Sequence, residues 1–431
     1  MDAKEVAKVT EGRLVGNNRR ITGVHFDSRE IKEGNLFVPV KGKRDGHLFI
    51  SDAFSKGAAA ALTEKELNAE LAPCQVVVKD ALEAFKKIAL YRRGKFQGPV
   101  VAVTGSVGKT TTKELLKELL PSAFANPKSY NNLLGVCYTL SNLPEGGTLI
   151  QEVGTNSPGE VKELRELIKP TVAVVTAVGK AHTQGFGSLK EVAREKLSLT
   201  EGADLAIVPW EYRQLSRAKR TLTFGEGGDA KLKELTVENG RTAFTVEISG
   251  KTVSFQTEVP GKGLANATLI ALLIAELFGI PLKEVKETVE NFSPPERRMA
   301  VLELPKGRII DDCYNANPLS MENATLVLKS FKGEKVAVIG EMLELGEESK
   351  KEHEKLAKLL EEAGANVLIA FGKETKITAE SFKGKAFHFT DRKEFINFIE
   401  KFPFEGKTVL VKGSRGNRLE EAVEIVKKRL K

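Results

Sequence analysis

Apolar runs without polar alternation recur along this chain, each bounded by Gly, Pro, Asn or charged residues and followed by a stretch of helical period. Such runs at 100–104, 148–152, 172–178 and 204–208 predict strands buried on both faces. They therefore predict a parallel sheet covered by helices, because a strand with one wet face alternates apolar and polar positions. The pattern returns at 308–312, 335–340, 366–370 and 408–412. Strict alternation appears only at 242–248 and 252–255, around Ser249-Gly250, and reads as a hairpin. Nearer the N-terminus, short strands at 35–40 and 75–78 are interleaved with helices at 50–56 and 81–92. The apolar stretch 264–280 is broken by Asn266, Thr268 and Glu276, so it reads as a buried helix and not as a membrane span.

Punctuation divides the chain into three. The polar turn Arg93-Gly94-Lys95-Phe96-Gln97-Gly98-Pro99 closes a first segment, 1–96, and Pro294-Pro295 marks a linker between 97–299 and 300–431. Two or three domains suit 431 residues. The expected fold is α/β throughout: a small N-terminal module, a central domain on a parallel sheet, and a doubly wound, Rossmann-like C-terminal domain. No internal repeat or low-complexity segment interrupts it.

The first central strand leads into Thr104-Gly105-Ser106-Val107-Gly108-Lys109-Thr110-Thr111, and a helix over 113–120 follows. Strand, glycine turn and helix in that order make a phosphate-binding loop. Glycines let backbone N–H groups curl around phosphate oxygens, and the helix N-terminus adds its partial positive charge. Lys109 can reach the β- and γ-phosphates, and the Thr110 hydroxyl can ligate Mg²⁺. Thr104 stands where the usual loop has its first glycine.

Composition narrows the partners. Lys and Arg exceed Asp and Glu by 66 to 58, but the charges are interspersed, and only 427–431 forms a basic run, which suits a helix C-terminus. Without an arginine-rich stripe or an aromatic platform, nucleic acid is not an expected partner. A modest basic excess suits anionic nucleotides. The competing reading from another class is a phosphate-loop NTPase working on DNA or RNA; a non-catalytic nucleotide-binding scaffold ranks below it. Cys74, Cys137 and Cys313 show neither metal spacing nor a disulfide framework, and Met1-Asp2-Ala3-Lys4-Glu5 has no apolar signal core. Cytoplasmic residence is the expectation.

Further candidates sit at strand ends, which face the ligand crevice in a parallel sheet. Glu152 closes an apolar strand and is placed to hold a metal; Gly154-Thr155-Asn156 follows it. His182 lies on the loop after 172–178. Lys196, on the next helix, reads from spacing alone as a solvated lysine. Asn131-Asn132 precedes a helix, either as a cap or as amides facing reacting groups. Asp311-Asp312-Cys313-Tyr314-Asn315-Ala316-Asn317-Pro318 could cap a helix or bind ribose hydroxyls. Lys412-Gly413-Ser414-Arg415 is a cationic turn suited to a carboxylate.

Together these strings resemble the Mur ligase family of ATP-dependent amide-forming enzymes. The likeness runs from Phe26 to Glu420 and includes the phosphate loop, Glu152-Val153-Gly154-Thr155-Asn156, Ala181-His182 with Gly185-Phe186-Gly187-Ser188, Asp312 to Pro318, and Gly340-Glu341-Met342-Leu343-Glu344-Leu345-Gly346. Three strings are similar to the branch that adds D-alanyl-D-alanine: Asp27-Ser28-Arg29 with Gly34-Asn35-Leu36-Phe37-Val38, Asn131-Asn132-Leu133-Leu134-Gly135-Val136, and Lys412-Gly413-Ser414-Arg415. The diaminopimelate- or lysine-adding branch would show K-G-H-E at the last. That branch, and folylpolyglutamate synthase, are the nearest alternatives; the folate enzyme should lack the N-terminal module.

The resemblance implies a UDP-sugar site in 1–96 with Ser28, Arg29, Lys41, Asp45 and His47. It implies ATP on the loop residues Gly105, Ser106, Val107, Gly108, Lys109, Thr110 and Thr111, with Asp312 and Asn315 from the C-terminal domain. Two Mg²⁺ ions would be held by Thr110, Glu152, His182 and a carbamylated Lys196. Catalysis would rest on Lys109, Asn132, His182, Lys196 and Arg298, with Arg297 adjoining Arg298 as the competing hinge arginine. Lys412, Ser414 and Arg415 would take D-alanyl-D-alanine. The implied reaction joins that dipeptide to UDP-MurNAc-tripeptide through an acyl-phosphate, in a monomer without membrane insertion.

Overall fold

The computed structural model describes residues 1–42, 44–181 and 183–431. They form two compact units. The first comprises Met1–Ala102, Leu120–Gly154 and Lys162–Thr171; the second comprises Val103–Leu119, Thr155–Val161 and Val172–Lys431.

In the first unit a five-stranded sheet runs in the order Arg13–Gly16, Cys74–Val77, Ala60–Thr63, Asn35–Phe37, Gly23–His25. Its first pair is antiparallel and the rest are parallel. The expected strand 35–40 stops at Phe37: the Val38 N–H gives the last rung of the ladder to the His25 carbonyl, and Pro39 has no N–H to continue it. The helix Ala81–Lys95 starts on an Asp80 cap, whose carboxylate accepts from Glu83 N–H. Asn142, just past the helix Leu133–Ser141, accepts from Val24 N–H and donates to the Val24 carbonyl, both at 2.9 Å. Its amide thus imitates a neighbouring strand. Phe26, Tyr130 and Tyr138 pack ring on ring beside this contact.

The second unit holds two sheets. One runs Lys251–Thr257, Arg241–Ile248, Ala230–Glu238, Arg220–Phe224, Leu205–Pro209, Val172–Val175. The last three pairings are parallel, as the unbroken apolar runs require, and the 241–248/251–257 pair is the expected hairpin. The strand Ala230–Glu238 escapes the sequence pattern, because Lys-Leu-Lys-Glu-Leu spaces its apolar residues as a helix would. A register shift between Leu232 and Glu234 is the bulge that lets both leucines keep an inward side. The helix Lys262–Phe278 is buried along most of its length.

The other sheet runs Ala300–Leu304, Gly307–Asp312, Thr408–Lys412, Lys335–Gly340, Val367–Phe371, Lys385–Phe389, antiparallel only at its first pair. Side chains alternate across a strand, and here both sides are buried. Ile310, Ala337, Ile339, Leu368, Ala370 and Leu410 join one core, while Ile309, Val336, Val338, Ile369, Val409 and Val411 join the other. That double burial is why these strands read as continuous apolar runs. No helix among the described residues is long and apolar enough to cross a membrane.

Candidate active site

The strand Val100–Thr104 delivers the chain to the phosphate loop, and the helix Lys109–Leu119 leaves it. That helix opens on the Lys-Thr-Thr string, so Lys109 and Thr110 occupy its first turn. Gly105 (φ +151°) and Gly108 (φ +83°) take conformations that side chains resist. Space matters as well at Gly105, where an added Cβ would lie 2.0 Å from Thr176 Oγ1. Lys109 Nζ donates to the Gly105 carbonyl at 2.7 Å, which curls its stem across the loop.

The loop is braced from outside by residues 176–179. The strand expected over 172–178 ends at Val175, because Thr176 turns its hydroxyl to the Thr104 and Val107 carbonyls at 3.2 and 2.5 Å. Ser106 N–H donates to the Ala177 carbonyl at 2.8 Å. Ser106 Oγ donates to the Gly179 carbonyl and accepts from Gly179 N–H, at 3.0 and 2.9 Å. The Thr176 bonds draw the Thr104 and Val107 carbonyls outward, which leaves the following N–H groups free to face a phosphate, while the Ser106 N–H is spent on Ala177.

Lys196 overturns the reading of a solvated helix lysine. It is 2 % exposed, on the buried stripe Val192, Ala193, Lys196, Leu197 of the helix Leu189–Leu197. Burial first, and then the nearby Lys109 charge, lower its pKa to about 7. The signal was legible: position 196 falls i+4 from Val192 and i+3 from Ala193, inside the apolar stripe. The adjacent Glu195 points elsewhere. Its carboxylate accepts from Gly159 N–H at 2.9 Å and Val161 N–H at 2.8 Å, fixing the segment after Thr155-Asn156.

Arg298 lies between Arg297 and Met299, both at positive φ (61° and 57°), a strained turn in the linker. Its guanidinium stacks on Tyr314, 4.1 Å from the ring centroid, and Arg415 lies 5.8 Å from the same ring. Asp312 is held by Met299 N–H at 3.0 Å and by Lys412. That lysine is 1 % exposed and also donates to the Asn315 carbonyl at 2.9 Å. Ser414 accepts from Leu343 N–H at 3.0 Å and donates to the Ala316 carbonyl at 3.3 Å. Two of the three residues expected at the dipeptide therefore hold the 312–316 and 343 turns in this arrangement, and Arg415 is the exposed one. Asn317, which sequence reasoning read only as a cap or ribose contact, donates from Nδ2 to the Ser106 carbonyl at 3.1 Å.

In the first unit, Glu152 is buried at the end of Thr148–Glu152 and accepts from Asn131 Nδ2 at 2.8 Å. Asn132 is the N-cap of Leu133–Ser141, its carbonyl oxygen accepting from Gly135 N–H at 3.0 Å. Of the two open readings of this pair, Asn132 takes the capping one, while Asn131 orients Glu152, a role neither reading named. Among the UDP candidates, Arg29 forks onto Asp27, holding that carboxyl down to about 2. Ser28 is buried, Lys41 pairs with Glu64, and Asp45 accepts from both His47 N–H and His47 Nδ1. His182 lies outside the described residues. Among the described residues no three His, Cys, Asp or Glu side chains form a metal-holding cluster.

Three family models match in order along the chain. They are the Mur ligase family catalytic domain over residues 20–98, the Mur ligase middle domain over 103–275 and the Mur ligase glutamate ligase domain over 297–415. The UDP-N-acetylmuramoyl-tripeptide–D-alanyl-D-alanine ligase of Rickettsia prowazekii is 30% identical, covering 95% of this chain and 96% of its own. The chain belongs to the Mur ligase family.

Solved Mur ligases share the fold over nearly the whole length. A crystal structure of MurF from Acinetobacter baumannii, 28% identical, superposes with a TM-score of 0.88 and covers 99% of this chain and 98% of that one. MurF from Thermotoga maritima, solved in complex with ADP, is 31% identical with a TM-score of 0.83, covering 96% and 98%. The expected α/β organisation, with N-terminal, middle and C-terminal Mur ligase domains, is thereby established.

Proposed function

We propose that this Mur ligase joins D-alanyl-D-alanine to UDP-N-acetylmuramoyl-tripeptide with cleavage of ATP to ADP and phosphate. The observation that supports this most is likeness to ligases of that name over nearly the full chain, shared by the N-terminal module and the Lys412-Gly413-Ser414-Arg415 end. The free carboxylate of the tripeptide attacks the γ-phosphorus, ADP leaves, and an acyl-phosphate forms. The dipeptide amine then attacks the acyl carbon, and the tetrahedral adduct collapses to an amide and inorganic phosphate. Such chemistry rests on positioning and charge neutralisation. Lys109 and Arg298 offset the repulsion between carboxylate and triphosphate, and Arg415 takes the dipeptide carboxylate.

Magnesium, when bound, neutralises developing phosphate charge. Thr110 and Lys196 are proposed among its ligands, and the family resemblance adds Glu152 and His182 to them. Lys196 fits that role only after gaining a negative charge, and its environment favours the gain. With a pKa near 7 its amine is roughly nine-tenths neutral at pH 8, against less than ~1 % for an ordinary lysine. The neutral amine adds CO₂ and releases one proton, leaving a carbamate oxygen donor. We place the enzyme in the cytoplasm as a monomer, in keeping with its three free cysteines.

The test is phosphate release on mixing ATP, UDP-tripeptide and D-alanyl-D-alanine, with each omitted in turn. Release is expected only with all three. Equal turnover with diaminopimelate, lysine or glutamate as the amine would assign the chain to another branch.

A further inference from the structure

Asn317 joins the two parts of the second unit that ligation must bring together. Its Oδ1 accepts from Ser320 N–H at 3.0 Å, and its own N–H donates to Ser320 Oγ at 3.0 Å, a reciprocal cap on the helix Pro318–Lys329. The side chain is 8 % exposed and cannot swing, because the cap holds its oxygen. Its Nδ2 therefore has one fixed direction, and the Ser106 carbonyl lies on it at 3.1 Å. Ser106 is otherwise tied on its other polar atoms, N–H to Ala177 and Oγ to Gly179.

A trans peptide is planar, so its C=O and the following N–H point in opposite directions. A Ser106 carbonyl drawn to Asn317 forces the Val107 N–H the other way, away from the Asn317 amide. The next carbonyl, of Val107, is drawn off by Thr176. The Ser106–Val107 peptide is thus a loop peptide whose orientation is set by the C-terminal segment.

We propose that Asn317 is a positioning residue: docking of the C-terminal segment lets its amide turn the Ser106–Val107 peptide so that Val107 N–H donates to a nucleotide phosphate. The inference rests on the nucleotide-binding part of the function proposed above. It links closure to phosphoryl transfer, since without the dock the peptide loses the donor that orients it. Asn317 itself touches no substrate.

Asn317→Asp and Asn317→Ser both retain a good helix cap but remove the amide donor, and the carboxylate repels the Ser106 carbonyl. Calorimetric titration of the full-length protein with AMP, ADP and a non-hydrolysable ATP analogue supplies the readout. Expected is about tenfold weaker ADP and analogue binding in both variants, more in the aspartate, with AMP affinity unchanged and a modest fall in melting temperature from the lost hydrogen bond. A merely structural role would weaken all three nucleotides together; that result overturns the proposal, as does wild-type affinity for ADP. The titration needs neither the tripeptide nor the dipeptide, so it reads the Asn317 role even if the phosphate-release assay assigns another amine.

Discussion

Lys196 shows what one buried charge asks of its surroundings. At neutral pH burial costs the cationic form dearly, and the neutral amine that results is the form able to take up CO₂. Lys196→Ala is expected to lower turnover by roughly 10²-fold or more, with partial rescue by short-chain carboxylic acids that refill the oxygen donor; full activity of the variant would refute the carbamate. Gly105→Ala places a methyl 2.0 Å from Thr176 Oγ1, and ADP binding by titration calorimetry should fall below detection while the far-UV circular dichroism of the full-length protein is retained.

His353 supplies the pH dependence at this scale. It is fully buried, and Met342 N–H donates to Nε2 at 3.1 Å, so the ring proton sits on Nδ1 and donates to the Ser349 carbonyl at 2.9 Å. Burial lowers its pKa from 6.5. Between the lowered value and 6.5 the unfolded chain binds more protons, so this contribution is full above pH ~6.5 and declines as the pH falls below it. Urea midpoints should drop from pH 7 to pH 5 in the wild type, and the drop should shrink in His353→Gln.

At the scale of elements, the segment after Val172–Val175 is the decisive one. Its apolar run would extend the strand to 178, yet the chain turns at Thr176 because two loop carbonyls need a hydroxyl donor. Thr176→Val keeps the shape and removes that donor. A loss of about 1–3 kcal/mol in urea unfolding is expected, together with weaker ADP binding; unchanged binding would show that the brace does not set the loop. The string Gly340-Glu341-Met342-Leu343-Glu344-Leu345-Gly346 gains a role at this scale too. The Glu344 carbonyl accepts from Gln184 N–H at 3.0 Å, and the Leu345 carbonyl from Thr183 Oγ1 at 2.9 Å. It is a docking edge for the short helix Thr183–Phe186.

At the scale of the molecule, the second unit joins central and C-terminal segments through polar contacts that include a charged cluster. Lys180 Nζ reaches Glu348 at 2.6 Å and the buried Glu352 at 2.7 Å. Lys262 N–H donates to Asn323 Oδ1 at 2.7 Å. The part of this docking carried by Lys180 should be salt-sensitive. Paramagnetic or fluorescence distances between labels at exposed positions 263 and 354 should lengthen in Lys180→Ala, and 0.5 M KCl (roughly a 4 Å screening length) should lengthen them in the wild type and add little in the variant.

Periodicity alone determined the doubly wound class, the hairpin at Ser249-Gly250 and the phosphate loop, because alternation, unbroken runs and glycine turns are local consequences of backbone geometry. It could not separate Asn131 from Asn132, since a cap and a carboxylate partner are one residue type until the neighbouring strand end is in place. Nor could it find that Lys412 and Ser414 hold turns at 312–316 and 343, or that Asn317 reaches Ser106, 211 positions away. Hydrogen-bond partners so distant in sequence are chosen by how sheets and helices stack, and burial, which decides whether a lysine is solvent-facing or perturbed, exists only once they have stacked.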